Sequence, residues 1–260
     1  MTFLLDVWYV AWRELVIFVR TPVRIIMVVI QPLIWLGLMG NMMQGFAKSP
    51  MVGQMLGTGN YLTFMTPGII LMTVLFGGAF SGMSIVWDRR MGYLEKLLAA
   101  PISRAAIPFG KAFAAAIQAG VQVLLIVLIA TALGVRFATG PLGLLVILLI
   151  AMCFSLILSS FSLSLAARIK SHETLMAIVN FFTMPLMFTS NALFPIEAMP
   201  GWLATIARYN PVTYAVTAIR QLTLSGWDWL AIASSLGILA GLTIAVLTLS
   251  RFLFQRATAD

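Results

Sequence analysis

The sequence predicts an all-α membrane protein with six transmembrane helices. Of its 260 residues, 61% are hydrophobic and only 9% are charged, against about 45–50% and about 25% in soluble proteins. Its mean hydropathy is +1.02, and its apolar residues fall in runs long enough to cross a bilayer. The net charge of +8 fits basic residues concentrated in cytoplasmic loops and does not indicate nucleic acid as a partner.

The chain begins with an amphipathic stretch, residues 1–24. Trp8, Trp12, Leu15 and Val19 recur at helical spacing, with arginines on another face. Tryptophan favours the depth of the lipid headgroups, so we expect a helix lying in the cytoplasmic membrane interface. A plain extension of the first membrane span is the alternative.

Six apolar runs follow, and we interpret each as a membrane span. Pro32 lies inside the first span and is expected to kink it, and glycines near the end of the second favour close approach of another helix. The predicted spans are residues 25–43, 61–86, 108–133, 142–166, 175–193 and 229–252.

A charged segment, residues 87–104, separates the second and third spans. Its apolar residues Met91, Leu94, Leu97 and Leu98 share one helical face, and Pro101 ends the pattern. We expect a short amphipathic helix that docks on a partner outside the membrane. The alternative is a helix on the membrane surface, with its basic residues on anionic headgroups.

The segment 194–228, between the fifth and sixth spans, is broken by prolines into two short amphipathic pieces, 202–209 and 212–224. Pieces too short to cross a bilayer indicate re-entrant or interfacial helices, and a disordered loop is the alternative. With the N-terminus in the cytoplasm, twelve of the sixteen Lys and Arg residues fall on the inner side. This bias places both termini in the cytoplasm.

Sequence patterns for catalysis and cofactor binding are missing. The single histidine, His172, and the single cysteine, Cys153, provide no cluster for a metal, and no phosphate-binding loop motif occurs. We therefore expect no catalytic residue, no metal and no cofactor in this chain. An acid in the middle of a predicted span is also missing, which argues against an ion-coupled secondary transporter. That transporter, or a channel without an ATPase, remains the alternative. Gln118, Gln122 and Asn180 are polar residues within spans that would line a substrate path or bind neighbouring helices.

Two motifs resemble those of permease subunits of type 2 ABC exporters. The first is DRRMGYLEKLLAAPISR, residues 88–104, and the second runs from Pro185 to Arg220. Asn191 departs from the glycine common in that family, and we expect a stiffer bend there. The resemblance covers essentially the whole chain and implies a permease homodimer that binds two ABC ATPase subunits carrying ATP and Mg²⁺.

The resemblance also implies roles for particular residues. Segment 87–104 would be a coupling helix in a groove of the ATPase, and segment 194–228 an extracytoplasmic gate for a hydrophobic drug, lipid or lipid-linked glycan leaving the inner membrane. The coupling residues would be Arg89, Arg90, Met91, Gly92, Leu94, Glu95, Lys96, Leu97 and Leu98, with Met91, Leu94 and Leu98 as the apolar anchor. The gate residues would be Pro195, Met199, Pro200, Trp202, Asn210, Pro211 and Tyr214.

Overall fold

The computed structural model describes residues 3–47, 58 and 60–257. Those residues form helices and connecting turns, with no strand among them. The α-helices in chain order are α1 (Phe3–Val19), α2 (Pro22–Ala47), α3 (Tyr61–Ala79), α4 (Met83–Arg90), α5 (Tyr93–Ala99), α6 (Ala106–Ala132), α7 (Gly140–Arg168), α8 (His172–Phe188), α9 (Gly201–Tyr209), α10 (Pro211–Leu224) and α11 (Trp229–Ala257). A 3₁₀ turn, Ile196–Ala198, precedes α9.

Four apolar helical stretches in the described residues are long enough to cross a membrane: Tyr61–Arg90, Ala106–Ala132, Gly140–Arg168 and Trp229–Leu253. They coincide with the predicted second, third, fourth and sixth spans.

The other two predicted spans are not established in the same way. The first falls within α2, where several side chains lie outside the described part of the structure. The fifth, 175–193, extends too far, because α8 ends at Phe188 and a turn follows. The 17 residues of α8 rise about 26 Å, less than the hydrocarbon thickness of about 30 Å. Six spans therefore remain a prediction.

Helix α3 lies at the centre of the bundle. The consecutive residues Ile69, Ile70, Leu71 and Met72 are all buried although they point to different sides of the helix. A helix that is apolar all round is stable only when other elements surround it. Helices α6, α7, α10 and α11 contribute most of the other buried residues of this main hydrophobic core.

The glycines near the end of α3 allow the close helix packing that the sequence predicts. A Cβ atom added to Gly78 would lie 3.0 Å from the Cβ of Leu158, and one added to Gly82 would lie 2.5 Å from the carbonyl oxygen of Ser162. The backbone N–H of Gly82 also donates to Ser162 Oγ at 3.1 Å. The turn between α3 and α4 is thereby fixed directly against α7.

A second hydrophobic cluster lies next to this turn, at the end of the bundle that contains segment 87–104. Its buried members include Ile85, Leu94, Ile107, Leu163 and Leu175, from five different helices. This cluster is the surface on which α5 packs.

Candidate functional site

Segment 87–104 forms two helices, so the prediction of one continuous amphipathic helix is wrong. Helix α4 ends at Arg90, and α5 begins only at Tyr93. Between them Gly92 has φ of 66°, a left-handed conformation that glycine adopts without a steric penalty and that ends helices. The glycine therefore turns the chain and separates Met91 from the leucines of α5.

The predicted apolar anchor is divided by this turn. Leu94 is 4% exposed, inside the second hydrophobic cluster, and Leu97 and Leu98 pack partly buried against the same cluster. Met91 is 72% exposed. Helix α5 buries its own leucine face against the bundle, because a short helix gains its stability from such packing. Leu94 is thus a core residue and is not available to a partner.

Arg89 is also turned inward, contrary to its predicted role as a contact for a partner. Its Nη1 donates to the carbonyl of Ile169 at 3.0 Å, and its Nη2 donates to the carbonyl of Ala167 at 2.8 Å. These carbonyls belong to the end of α7, where the helix itself supplies no donors. Arg89 therefore caps α7 and joins it to α4.

The exposed residues at the end of α4, in the turn and at the start of α5 form a surface that we name the α4–α5 tip. It consists of Trp87, Arg90, Met91, Glu95 and Lys96.

A cavity of about 410 Å³ opens beside the α4–α5 tip. It lies between α4 and the connection from α7 to α8, and the ring of Trp87 meets the ring of His172 edge-on at 5.7 Å. Arg90 and Lys170 also line it. The two loops on this side of the bundle thus present one continuous, largely basic surface.

Behind the tip lies a group of four ionised side chains, which we name the four-charge cluster: Arg13, Glu14, Asp88 and Lys111. Arg13 donates to both carboxylate oxygens of Asp88, at 2.8 and 3.1 Å. Lys111 Nζ lies 2.5 Å from Glu14 Oε1 and 2.6 Å from Asp88 Oδ2. Arg13 also contacts Glu14 at 3.0 Å. Two cations and two carboxylates therefore join α1, α4 and α6.

Burial makes this cluster a strong constraint on the helices. The side chain of Lys111 is 1% exposed, and a charge so far from water is stable only when opposite charges and hydrogen bonds replace its solvent. Burial lowers the pKa of Arg13, but the hydrogen bond and charge of Asp88 outweigh that effect and raise the pKa above its ordinary value. The Arg13 guanidinium also lies 3.7 Å from the ring centre of Tyr93, so the cluster reaches α5 as well.

Reasoning from the sequence missed this cluster. Arg13 was expected on the polar face of the N-terminal stretch, and Arg13 and Lys111 among the inner basic residues, without any pairing to Asp88. A usable signal was present, since Glu14 and Lys111 each interrupt an apolar helical run, and an ionised group at that depth requires a partner.

Gly110 brings α1 and α6 close enough for the four-charge cluster to form. A Cβ atom added to Gly110 would lie 2.6 Å from the Cβ of Val10 and 2.7 Å from the carbonyl oxygen of Val7. Only a residue without a side chain fits this helix crossing.

Segment 194–228 forms α9 and α10, close to the two predicted pieces. The predicted apolar face of α10 is confirmed, because Val212, Ala215, Val216, Ile219 and Leu222 are all buried. Helix α10 is therefore packed on the bundle, whereas most residues of α9 are exposed.

Asn210, a predicted gate residue, connects α10 to the end of α8. Its side-chain oxygen accepts from Val212 N–H at 2.9 Å and caps α10. Its amide nitrogen donates to the Leu186 carbonyl at 2.7 Å and to Thr189 Oγ1 at 2.9 Å. One side chain thus starts one helix and fastens another.

A second connection runs through Asn191 and Arg220. The side-chain amide nitrogen of Asn191 donates to Thr217 Oγ1 at 2.9 Å. The backbone carbonyl of Asn191 accepts from Arg220 Nη2 at 2.8 Å. Next to it, a Cβ on Gly68 would lie 2.0 Å from the carbonyl oxygen of Ala192. The bend after α8 is therefore attached to α10 by hydrogen bonds and pressed against α3.

The other predicted gate residues are more peripheral. Pro195, Met199 and Pro200 flank the 3₁₀ turn in extended conformations. Trp202 on α9 is 68% exposed. Pro211 occupies the first turn of α10, and Tyr214 is half-buried on the same helix.

The three predicted path residues lie on two helices, α6 and α8. Gln118 and Gln122 are buried on α6, and a Cβ on Gly77 would lie 3.4 Å from Gln122 Oε1. That oxygen is buried without a hydrogen-bond partner. Asn180 is half-buried on α8, and its role stays a prediction. Within the described residues, no group of His, Cys, Asp and Glu is arranged to hold a metal.

Four long apolar helices, together with a charged tip at one end of the bundle, define a polytopic membrane protein. The family model for the ABC-2 type transporter matches residues 6–224, which include all of α3 to α10. The chain belongs to this family of transport permeases and is a membrane subunit of an ABC transporter.

Similar proteins carry related names. A protein of Cyanophora paradoxa named as a transport permease, ycf38, is 36% identical over 211 residues, covering 80% of this chain and 71% of its own. The daunorubicin resistance ABC transporter permease protein DrrB1 of Streptomyces coeruleorubidus is 28% identical over 252 residues, covering 95% and 85%. A protein of Escherichia coli K12 named as a multidrug ABC transporter permease, YbhR, is 28% identical over 167 residues, covering 64% and 45%.

Proposed function

We propose that this chain is the permease of an ATP-driven exporter that moves an amphiphilic substrate out of the cytoplasm or the inner leaflet. The substrate class is a hydrophobic drug, a lipid or a lipid-linked glycan. Two similar proteins are named for daunorubicin resistance and for multidrug transport, and the apolar spans of this chain suit such molecules better than sugars or ions.

The proposed complex contains two copies of the permease, each with six spans and cytoplasmic termini, in the cytoplasmic membrane. It also contains two copies of a separate ABC ATPase, which bind ATP and Mg²⁺. Membership of the ABC-2 family implies an ABC ATPase in the system. That each subunit is present in two copies, and that the two permeases are identical, are parts of the proposal.

The observation that carries the proposal is the α4–α5 tip with the four-charge cluster behind it. The tip offers exposed Met91 between Arg90 and Lys96, and the cavity beside it extends this surface to the loop after α7. A partner that displaces the tip also displaces α1 and α6, because Asp88 is ion-paired with Arg13 and Lys111. ATP-driven movement of the ATPase would thus reach the membrane helices as a rigid-body motion.

At the far end, Asn210 and Asn191 attach α10 to the end of α8. In the proposed mechanism α8 and segment 194–228, which contains α10, move together as the extracytoplasmic gate.

The decisive experiment is affinity purification of the tagged permease in mild detergent from its native host. An ABC ATPase should copurify with the unchanged chain and be lost when Met91 and Lys96 are replaced together, Met91→Asp and Lys96→Glu. A matched control is Trp202→Ala, exposed at the opposite end. Purification without a nucleotide-binding partner, under conditions that keep the permease folded, would refute the proposal.

A further inference from the structure

A pocket of about 210 Å³ lies between α1 and α5, apart from the α4–α5 tip. Its walls are largely apolar, formed by Val10, Leu97, Ala100 and Ile102. Asp6, Tyr9, Arg13 and Tyr93 supply its polar and aromatic lining.

Asp6 is an acidic residue in the wall of this pocket. The residue is only 5% exposed, and its Oδ2 accepts a hydrogen bond from the backbone N–H of Ser103 at 3.3 Å. Its Oδ1 is buried and has no hydrogen-bond partner. A buried carboxylate oxygen without a donor is unfavourable, because it has lost water and gained nothing in exchange.

The cation that also lines the pocket does not supply that donor. The guanidinium of Arg13 is directed to Asp88 and Glu14, and the four-charge cluster is balanced by its own carboxylates. Among the ion pairs of the described residues, none includes Asp6. The pocket therefore has a negative charge that a cationic N–H donor would complement.

The size and surroundings of the pocket limit what that donor can be. A volume of 210 Å³ is below the roughly 300–1,000 Å³ of sites for drug-sized molecules, so only a small headgroup fits. The neighbouring side chains of α1 are apolar or aromatic and exposed, among them Leu4, Trp8, Tyr9 and Trp12. Such a surface on a membrane protein faces the lipid headgroups.

We propose that this pocket binds the primary ammonium group of a phosphatidylethanolamine in the leaflet that contacts α1. The ammonium would donate to the carboxylate of Asp6, beside Tyr9 and Tyr93, which line the same pocket. Choline has no N–H to donate and glycerol has no charge, so neither headgroup satisfies the carboxylate. The bound lipid would lie between α1 and α5 and would hold the two helices together.

Native mass spectrometry of the full chain, titrated with lipids of identical acyl chains, tests this proposal. We expect phosphatidylethanolamine to bind about tenfold more tightly than phosphatidylcholine or phosphatidylglycerol, the ratio expected for one charge-assisted hydrogen bond. Asp6→Asn should abolish this preference. Glu173→Gln, which removes an exposed carboxylate elsewhere, should preserve it.

A second variant keeps the test valid if Asp6→Asn does not fold. Ala100→Phe fills the pocket and leaves the carboxylate in place, and it should also abolish the preference. Equal binding of the three lipids to the unchanged chain, or a preference that persists in both variants, would overturn the proposal. The proposal would also be overturned if Asp6→Asn kept the lipid preference but lost the copurified ATPase. The pocket would then hold a basic side chain of the partner.

Discussion

Arg13 and Asp88 are 75 positions apart in the chain and are joined by two hydrogen bonds, of 2.8 and 3.1 Å. Arg13 belongs to the amphipathic N-terminal helix, and Asp88 lies two residues before the end of α4. Through this pair the N-terminal helix is fixed to the segment that we propose to bind the ATPase. In the proposed mechanism α1 therefore moves together with α4. It also lies against the membrane interface.

Replacing Asp88 by Asn should destabilise the protein strongly. Lys111 and Arg13 would retain only the Glu14 carboxylate between them, and removing one partner of a buried ion pair costs about 3 kcal/mol or more. Thermal unfolding of the detergent-solubilised protein would measure this loss. Glu173→Gln, an exposed carboxylate outside the cluster, is the matched control and should change the free energy of unfolding by less than about 0.5 kcal/mol.

The coupling within the pair can be separated from the effect of each residue. In a double-mutant cycle with Arg13→Gln and Asp88→Asn, the double variant should lose clearly less stability than the sum of the single variants. Additive losses would mean that the two side chains do not interact in the folded protein.

Replacing Gly92 by Ala should impair the turn between α4 and α5. A Cβ at this position meets no atom within 4 Å, so the cost is conformational and about 1–2 kcal/mol for a left-handed residue. We expect weaker stimulation of the partner ATPase by transport substrate, since the tip would be displaced. Gly237→Ala, also in open space but within α11, should leave both stability and stimulation intact, and an equal effect of the two variants would contradict the prediction.

Replacing Gly110 by Ala should separate α1 from α6. The new Cβ would lie within 2.7 Å of Val7 and Val10, and forced overpacking of this kind typically costs about 1–3 kcal/mol. Limited trypsin digestion should then cleave faster after Arg13, since the packing of α1 against α6 would no longer protect that bond. Gly120→Ala is the control on the same helix, because its nearest atom, Met152 Sδ, is at an ordinary 3.4 Å. Unchanged digestion of Gly110→Ala would show that the crossing tolerates a methyl group.

Replacing Asn210 by Ala should reduce transport more than it reduces binding of the ATPase. The variant loses the cap of α10 and both hydrogen bonds to the end of α8, and a lost cap alone costs about 1 kcal/mol. Efflux of a fluorescent amphiphile from vesicles, measured with ATPase copurification, distinguishes the two effects. Thr205→Ala, on the exposed side of α9, should behave like the unchanged chain, and loss of the ATPase from Asn210→Ala would argue against a role at the gate.

The proposed orientation can be tested by labelling single cysteines from outside intact cells. After Cys153→Ser, Trp202→Cys should react with an impermeant maleimide and Lys96→Cys should not, since both positions are exposed on the protein but are expected on opposite sides of the membrane. The reverse pattern would invert the topology.

The sequence by itself determined the membrane class, the positions of the long helices and the two helical pieces of segment 194–228. These features depend on local composition and on helical periodicity, which are present in the chain before it folds. The same is true of the family resemblance, because its two motifs are contiguous runs of residues, and the family match confirms it.

Only the tertiary structure decided which side chains of segment 87–104 face outward. Periodicity grouped Met91 with Leu94, but the left-handed Gly92 separated them, and the neighbouring helices then buried Leu94 and engaged Arg89. The pairing of Asp88 with Arg13 and Lys111 was likewise decided there. Such contacts join residues distant in the chain, and their energy depends on burial and on distances that are fixed only when the helices pack.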